Sequence, residues 1–312
     1  AGHTFAEVAT DYIRVKYQNE GKAKATIAKQ YFFMSHLTPT LGNTPLGDIK
    51  SIELMAALRK LEAKGHRQTA KCTRAFASRV FRYGVGIGKC NDDPARLLSG
   101  NLSAPKVTHR AALLDPKRVG DFMRAADNYT GQAIVQIAVQ LLPHVMLRPG
   151  ELRLGHWQEI DFDKSVWLIP AERTKMRKPH AVPLSNQAVT LLRELERHSG
   201  GVEYMFRGQG KKGPISENTL NQAYKRMGFG SDEVTPHGFR TTASTFLNET
   251  GQWNKDAIEK ALAHKDTDAI RAIYNRGTYW TERVQMMQWW SDYLDRLKTG
   301  AVVLPFNTAA IT

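Results

Sequence analysis

The apolar residues of this chain keep a helical period from residue 4 to about 105 and again from about 116, and between the two the period is lost. Residues 99–112 read Ser-Gly-Asn-Leu-Ser-Ala-Pro-Lys-Val-Thr-His-Arg-Ala-Ala, a run punctuated by Gly, Pro and Ser. A chain of 312 residues exceeds the commonest size of one domain, so the break predicts two bodies with separate cores. We set a helical first domain at residues 1–104, a linker at 105–112, a second domain at 113–298 and a tail at 299–312.

In the first domain Thr4-Phe5-Ala6-Glu7 has the form of a capping box, with Thr4 as N-cap and Glu7 three residues on. Phe5, Val8, Tyr12 and Val15 follow at helical spacing. Further helices are expected from Lys24 to Leu37, after Ser51, and from about Arg67 to Tyr83. On the last of these Arg67, Lys71, Arg74, Ser78 and Arg82 share one stripe, and Cys72, Phe76, Val80 and Tyr83 share another. Such a helix can pack on its neighbours while offering cations to phosphates; a merely solvated face is the bland alternative.

Beyond the linker, helices are expected at 116–127 and 131–142. Three short runs follow at 159–162, 165–169 and 179–184, β-branched or aromatic and separated by turn residues, which predict a small antiparallel sheet. Helices resume at 185–198, 216–228, 236–250, 254–263 and 279–297. The fold class is therefore mainly α with one small antiparallel sheet.

The formal net charge is +14. Residues 1–105 carry 16 Lys and Arg against 8 Asp and Glu, and the remainder 28 against 22, so both domains are basic. Nucleic acid is the polyanion this balance suggests. Two cysteines, Cys72 and Cys90, are too few for a disulfide framework and point to a reducing, cytosolic setting. No apolar run approaches a membrane span, and no signal peptide is visible at the start. Gly84-x-Gly86-x-Gly88 follows a helix instead of a strand, and residues 208–213 lack P-loop spacing, so neither reads as a nucleotide site.

Two places look built for an anion. In Leu147-Arg148-Pro149-Gly150-Glu151-Leu152, Pro149 suits a first helical turn, placing Arg148 at a helix start with Glu151 one turn on. In Thr235-Pro236-His237-Gly238-Phe239-Arg240, Thr235 is expected to cap and Pro236 to open a helix, with His237 and Arg240 on one face.

In order along the chain stand Arg148, Lys175, His237, Arg240, His264 and Tyr274, with His264 24 residues after Arg240 and Tyr274 ten after that. Together with Arg173-Thr174-Lys175-Met176-Arg177-Lys178-Pro179-His180, Leu262-Ala263-His264-Lys265 and Ile273-Tyr274-Asn275-Arg276, this arrangement resembles the tyrosine recombinases, or phage integrases, and within them the P4-type prophage and genomic-island integrases. The resemblance implies a core-type DNA-binding domain over 1–104 and a DNA breaking-and-rejoining domain over 113–298. It also implies that a further N-terminal, arm-binding domain is absent from this sequence.

The activity implied is site-specific cleavage and rejoining of DNA through a 3′-phosphotyrosine, integrating or excising a mobile element. Arg148 and Arg240 would neutralise the phosphate, a task suited to planar, permanently charged guanidiniums, and His264 would donate to the same phosphate. Tyr274 would attack, His237 would accept its proton, and Lys175 would protonate the leaving 5′-oxygen. Glu151 would orient Arg148 or a histidine, and DNA contacts would come from Arg67, Lys71, Arg74 and Arg82. No metal and no cofactor are called for, since the covalent link conserves the bond energy. Partners would be double-stranded attachment sites, a homotetramer on synapsed DNA and accessory DNA-bending or excision factors, with no membrane; the setting would be the bacterial cytoplasm. His144 and His180 read as structural, and Tyr279 as a rival nucleophile. A non-catalytic DNA-binding protein and a type IB topoisomerase are the alternative readings. The apolar stretch from Gly300 to Phe306 is expected to dock on a neighbouring subunit.

Overall fold

The computed structural model describes residues 3–104, 111–210, 213–264 and 279–300. The chain divides into two compact units, Ala1–Thr108 and His109–Thr312, each with its own buried apolar cluster.

The first unit is helical: α1 (Phe5–Ile13), α2 (Lys24–Ser35), the short α3 (Thr38–Leu41), α4 (Ser51–Ala63) and α5 (Arg67–Gly86). The capping box forms as expected, Glu7 accepting from the Thr4 backbone at 2.9 Å and the Thr4 hydroxyl from Glu7 at 3.3 Å. α2 stops at Ser35, short of the expected Leu37, and Pro39 lies in the first turn of α3 instead, where its missing N–H costs nothing. α5 buries Phe76, Ala77, Val80 and Phe81 against the core. Gly84 belongs to this packing and not to a nucleotide loop, because a Cβ there would lie 2.4 Å from the Leu46 side chain.

In the second unit α6 (Pro116–Asp127) starts with Asp115 accepting from the Lys117 amide, and α7 (Ala133–Val145) runs through Pro143. α8 (Pro149–Arg153) is a single turn. Strands β1 (Ile160–Asp161), β2 (Val166–Ile169) and β3 (His180–Pro183) form an antiparallel sheet in sequence order, with Trp167 opposite Ile160 on one side and Val182 on the other. Then follow α9 (Asn186–Ser199), α10 (Thr219–Arg226), α11 (Gly238–Glu249), α12 (Lys255–Ala261) and α13 (Trp280–Thr299). The sheet and helices thus lie where the hydrophobic pattern predicts, with ends shifted by a few residues. α11 begins at Gly238 instead of Pro236, although the Thr235 hydroxyl does accept from the Gly238 amide, at 3.0 Å. Among the described residues, no helix is long and apolar enough to cross a membrane.

α13 ties the unit together. Trp290 is fully buried and its indole N–H donates to the Pro143 carbonyl at 2.9 Å. At its far end Arg124 donates to the Leu297 and Lys298 carbonyls, a cation on the negative pole of a helix. α6 approaches this end so closely that a Cβ on Gly120 would lie 2.3 Å from the Leu297 oxygen. Between α7 and α13, buried His144 bonds Ser291 at 2.9 Å, and Ser291 donates to Ser185 at 2.7 Å.

That arrangement makes the unit acid-sensitive. Burial pushes the His144 imidazole down to about 4, and burial with nearby Arg283, Arg240 and Arg148 pushes His180 down to about 3. An unfolded chain takes up these protons near pH 6.5, so folding stability is fully present above that value and is lost as pH falls towards 4. His144 alone accounts for roughly 3 kcal/mol of this change. Urea titrations between pH 7 and 4 should show the decline, and His144→Gln should flatten it; an unchanged slope would exclude His144 as its source.

Candidate active site

Two guanidiniums are held by carbonyl oxygens at the C-terminal ends of two helices. Arg240, in the first turn of α11 and only 4% exposed, donates to the Met146 oxygen just past α7 and to the Leu262 oxygen just past α12. Arg148, the N-cap of α8, donates to the next carbonyl, that of Ala263, at 2.9 Å. Helix ends leave such carbonyls without intrahelical partners and carry partial negative charge, so cations are well placed there. Both ends turn through left-handed residues, Met146 at φ 51° and Ala263 at φ 46°.

Glu151 completes the anchor. One carboxylate oxygen accepts from the Arg148 backbone at 3.1 Å and the other pairs with its guanidinium at 2.8 Å. Glu151 is buried, so it depends on that partner for charge compensation. Burial pushes Arg240 down to about 10, Arg148 adding to the effect while Glu151 and Glu259 oppose it, and the group stays cationic at neutral pH.

Beside these arginines lies a cleft of about 720 Å³ lined by Arg148, Glu151, Arg173, Lys175, Thr235 and His237. Lys175 is exposed on the β2–β3 connection, whose turn is closed by Thr174: its hydroxyl accepts from the Lys178 amide at 3.1 Å. Arg177 takes the left-handed conformation in that turn. His237 is half-buried at the N-cap of α11. Gly238 next to it is there for space: a Cβ would lie 2.0 Å from the Ala111 oxygen, which also accepts from the Thr235 amide.

His264 follows Ala263 directly and is exposed, with Nδ1 at 2.9 Å from a Glu259 carboxylate oxygen. Tyr274, and the tail beyond Gly300, lie outside the described residues. Tyr279, the rival nucleophile, is the left-handed N-cap residue of α13. Among the described residues, no three His, Cys, Asp or Glu side chains cluster so as to hold a metal ion.

In the first unit, Arg67, Lys71 and Arg82 are exposed along α5. The middle of the stripe is occupied: Arg74 is half-buried and donates to the Ala95 carbonyl at 3.4 Å, and Ser78 is buried against Asp93 at 2.5 Å. Missed in the sequence were Glu259, Thr174, Arg173 and the carbonyls of Met146, Leu262 and Ala263. Only Thr174 and Arg173 had a signal, their place beside Lys175; backbone acceptors leave none. His180 is buried, as a structural residue should be, yet it lies near enough to Arg148 and Arg240 to feel their charge.

A helical unit with this small sheet, gathering Arg148, Lys175 and His237 at one cleft with Arg240 behind them, has the architecture of tyrosine-type DNA recombinases. Residues 112–279 match the phage integrase family and residues 5–101 the phage integrase central domain. The chain is 37% identical to the integrase of Enterobacteria phage P4 over 275 residues, covering 83% of this chain and 62% of that one. It is 33% identical to the putative protein IntB of Escherichia coli (strain K12) over 324 residues, covering 99% of this chain and 81% of IntB. In fold it is similar to a lambda integrase dimer bound to a COC' core site, with a TM-score of 0.67 at 20% identity over 85% of this chain and 96% of the other. It is likewise similar to the Tn1549 transposon integrase in complex with circular intermediate DNA, with a TM-score of 0.66 at 15% identity over 91% and 99%. The chain belongs to the phage integrase family and is a site-specific tyrosine recombinase.

Two glycine–alanine exchanges separate space from strain at this site. Gly238→Ala should displace the Ala111 segment, cost about 1–3 kcal/mol in thermal or urea unfolding as an overpacked contact does, and slow strand cleavage with it. Ala263→Gly should relieve a left-handed alanine and leave the protein as stable or up to about 1 kcal/mol more so. A destabilised Ala263→Gly variant would show that the turn after α12 is not strained.

Proposed function

We propose that this recombinase cleaves and rejoins double-stranded attachment sites through Tyr274, integrating or excising a mobile element. The observation that carries the reading is the anchoring of Arg148 and Arg240 on adjacent carbonyls, Ala263 and Leu262, beside the cleft that Lys175 and His237 line. An anion entering there meets the Arg148 guanidinium, with the Arg240 guanidinium buried behind it, and cations already held by the protein suit the stabilisation of a pentacovalent phosphorane. The Arg240 Nε is buried and has no hydrogen-bond partner among the described residues.

In the forward step the Tyr274 oxygen bonds to phosphorus and the bond to the 5′-oxygen breaks. His237 takes the phenol proton, since a tyrosine of ordinary acidity, near pKa 10, is protonated at neutral pH. Lys175 gives a proton to the leaving 5′-oxygen, and His264 donates to a non-bridging oxygen. Religation reverses each transfer, so neither ATP nor a metal enters. Glu151 holds Arg148 in place throughout.

The first unit is then the core-type DNA-binding domain and the second the catalytic domain. Arg67, Lys71 and Arg82 would reach the phosphate backbone, with Arg74 tied to Ala95 and contributing less. One protein of similar fold is a lambda integrase tetramer bound to a Holliday junction; by that likeness this chain would act as a homotetramer on synapsed DNA in the bacterial cytoplasm, with accessory DNA-bending or excision factors.

Incubation with a library of nicked duplexes should yield detergent-stable protein–DNA adducts, whose sequence identifies the site. Tyr274→Phe should abolish the adducts and Tyr279→Phe should spare them; the reverse pattern transfers the nucleophile to Tyr279. Arg148→Ala and Arg240→Ala should each slow adduct formation by about 10²–10³-fold.

A further inference from the structure

One buried cation is not used by this chemistry. Arg173 ends the turn that leaves β2 and is two residues before Lys175, with a side chain only 12% exposed. Its Nε lies 2.9 Å from a Glu159 carboxylate oxygen, and the other Glu159 oxygen accepts from the indole of buried Trp167 at 2.9 Å. Its second guanidinium arm donates to the Glu151 carbonyl at 2.8 Å. Burial pushes this guanidinium down, and the charges of Glu159 and Glu151 oppose the effect.

The connections are directional. Glu151 sits in α8, and its carboxylate grips Arg148 at the start of the same turn of helix. Arg173 reaches that residue's backbone from the hairpin side, so a single side chain joins the segment carrying Lys175 to the segment carrying Arg148. Thr174, between Arg173 and Lys175, closes the turn locally but reaches only Ala171 and Lys178. Without Arg173, β2 and β3 would still pair over four residues, yet among the hydrogen bonds of the described residues this is the one that binds the hairpin base to α8. A proton donor has to come within about 3 Å of the atom it protonates, and a long, exposed lysine on an untethered hairpin spreads over a far larger volume.

We infer that Arg173 is a positioning residue that sets Lys175 against the phosphate held by Arg148. The inference rests on Lys175 being the proton donor, and the test separates the two. The 312-residue chain is assayed on nicked duplexes of the trapped sequence in two forms, one normal and one with sulfur replacing the leaving 5′-oxygen. A thiol is acidic enough, near pKa 8.5, to leave without a donated proton, so the sulfur substrate bypasses the acid. Arg173→Met should cleave normal DNA on the order of 10²-fold more slowly and the sulfur DNA at nearly the wild-type rate, as should Lys175→Ala. Arg240→Ala should be slow on both. Because Arg173→Met leaves Glu159 buried without its cation, the double variant Arg173→Met with Glu159→Gln is run beside it and should behave alike.

If Lys175→Ala is rescued by sulfur while the Arg173 variants are equally slow on both substrates, or are unimpaired on normal DNA, Arg173 does not position the acid. If Lys175→Ala is not rescued, the assignment of Lys175 itself falls, and the inference with it.

Discussion

The catalytic unit depends on where helix ends put their unpaired carbonyls. Met146, Leu262 and Ala263 offer three oxygens that no intrahelical amide can use, and two arginines far apart in sequence take them. The exchange solves two problems at once. Carbonyls that would be costly to bury unpaired receive charged donors, and guanidiniums that would be costly to bury find acceptors. Placing two cations side by side is unfavourable, and Glu151 and Glu259 offset part of that repulsion. Backbone and carboxylate contacts within the protein thus fix both guanidiniums.

The rest of the unit keeps those helix ends in position. α7 ends at a left-handed Met146 with its chain pinned from behind by Trp290 on Pro143 and by the His144–Ser291–Ser185 series. α11 is brought close to the Ala111 segment because residue 238 has no side chain. The sheet contributes differently: its three short strands are less a scaffold than a way of projecting the Lys175 hairpin from a base fixed by Trp167, Glu159 and Arg173. Strain at Met146 and Ala263, of the order of 1 kcal/mol each, is sustained by the packing around both turns.

Much of this was legible in the residues themselves. The capping box at Thr4 and Glu7, the Pro149 helix start with Glu151 behind Arg148, and the three strand-like runs are local patterns, and local patterns survive into the fold. The α5 stripe was legible only in part. Helical spacing puts Arg67, Lys71, Arg74, Ser78 and Arg82 in line, but the segment around Asp93 and Ala95 folds back over the middle, burying Ser78 and half-burying Arg74. No periodicity rule can foresee a neighbour that arrives from 15 or 21 residues away.

By itself, then, the sequence determined the candidate site side chains, their order, and the helices and hairpin that carry them, because capping, turn formation and amphipathic spacing act over a few residues. The tertiary structure decided which backbone oxygens hold Arg148 and Arg240, that Glu259 meets His264, that Arg173 ties the Lys175 hairpin to α8, and that Gly238 admits the Ala111 segment. Those are contacts between distant segments, and they depend on burial and on close approach at particular distances, which only the packed chain defines.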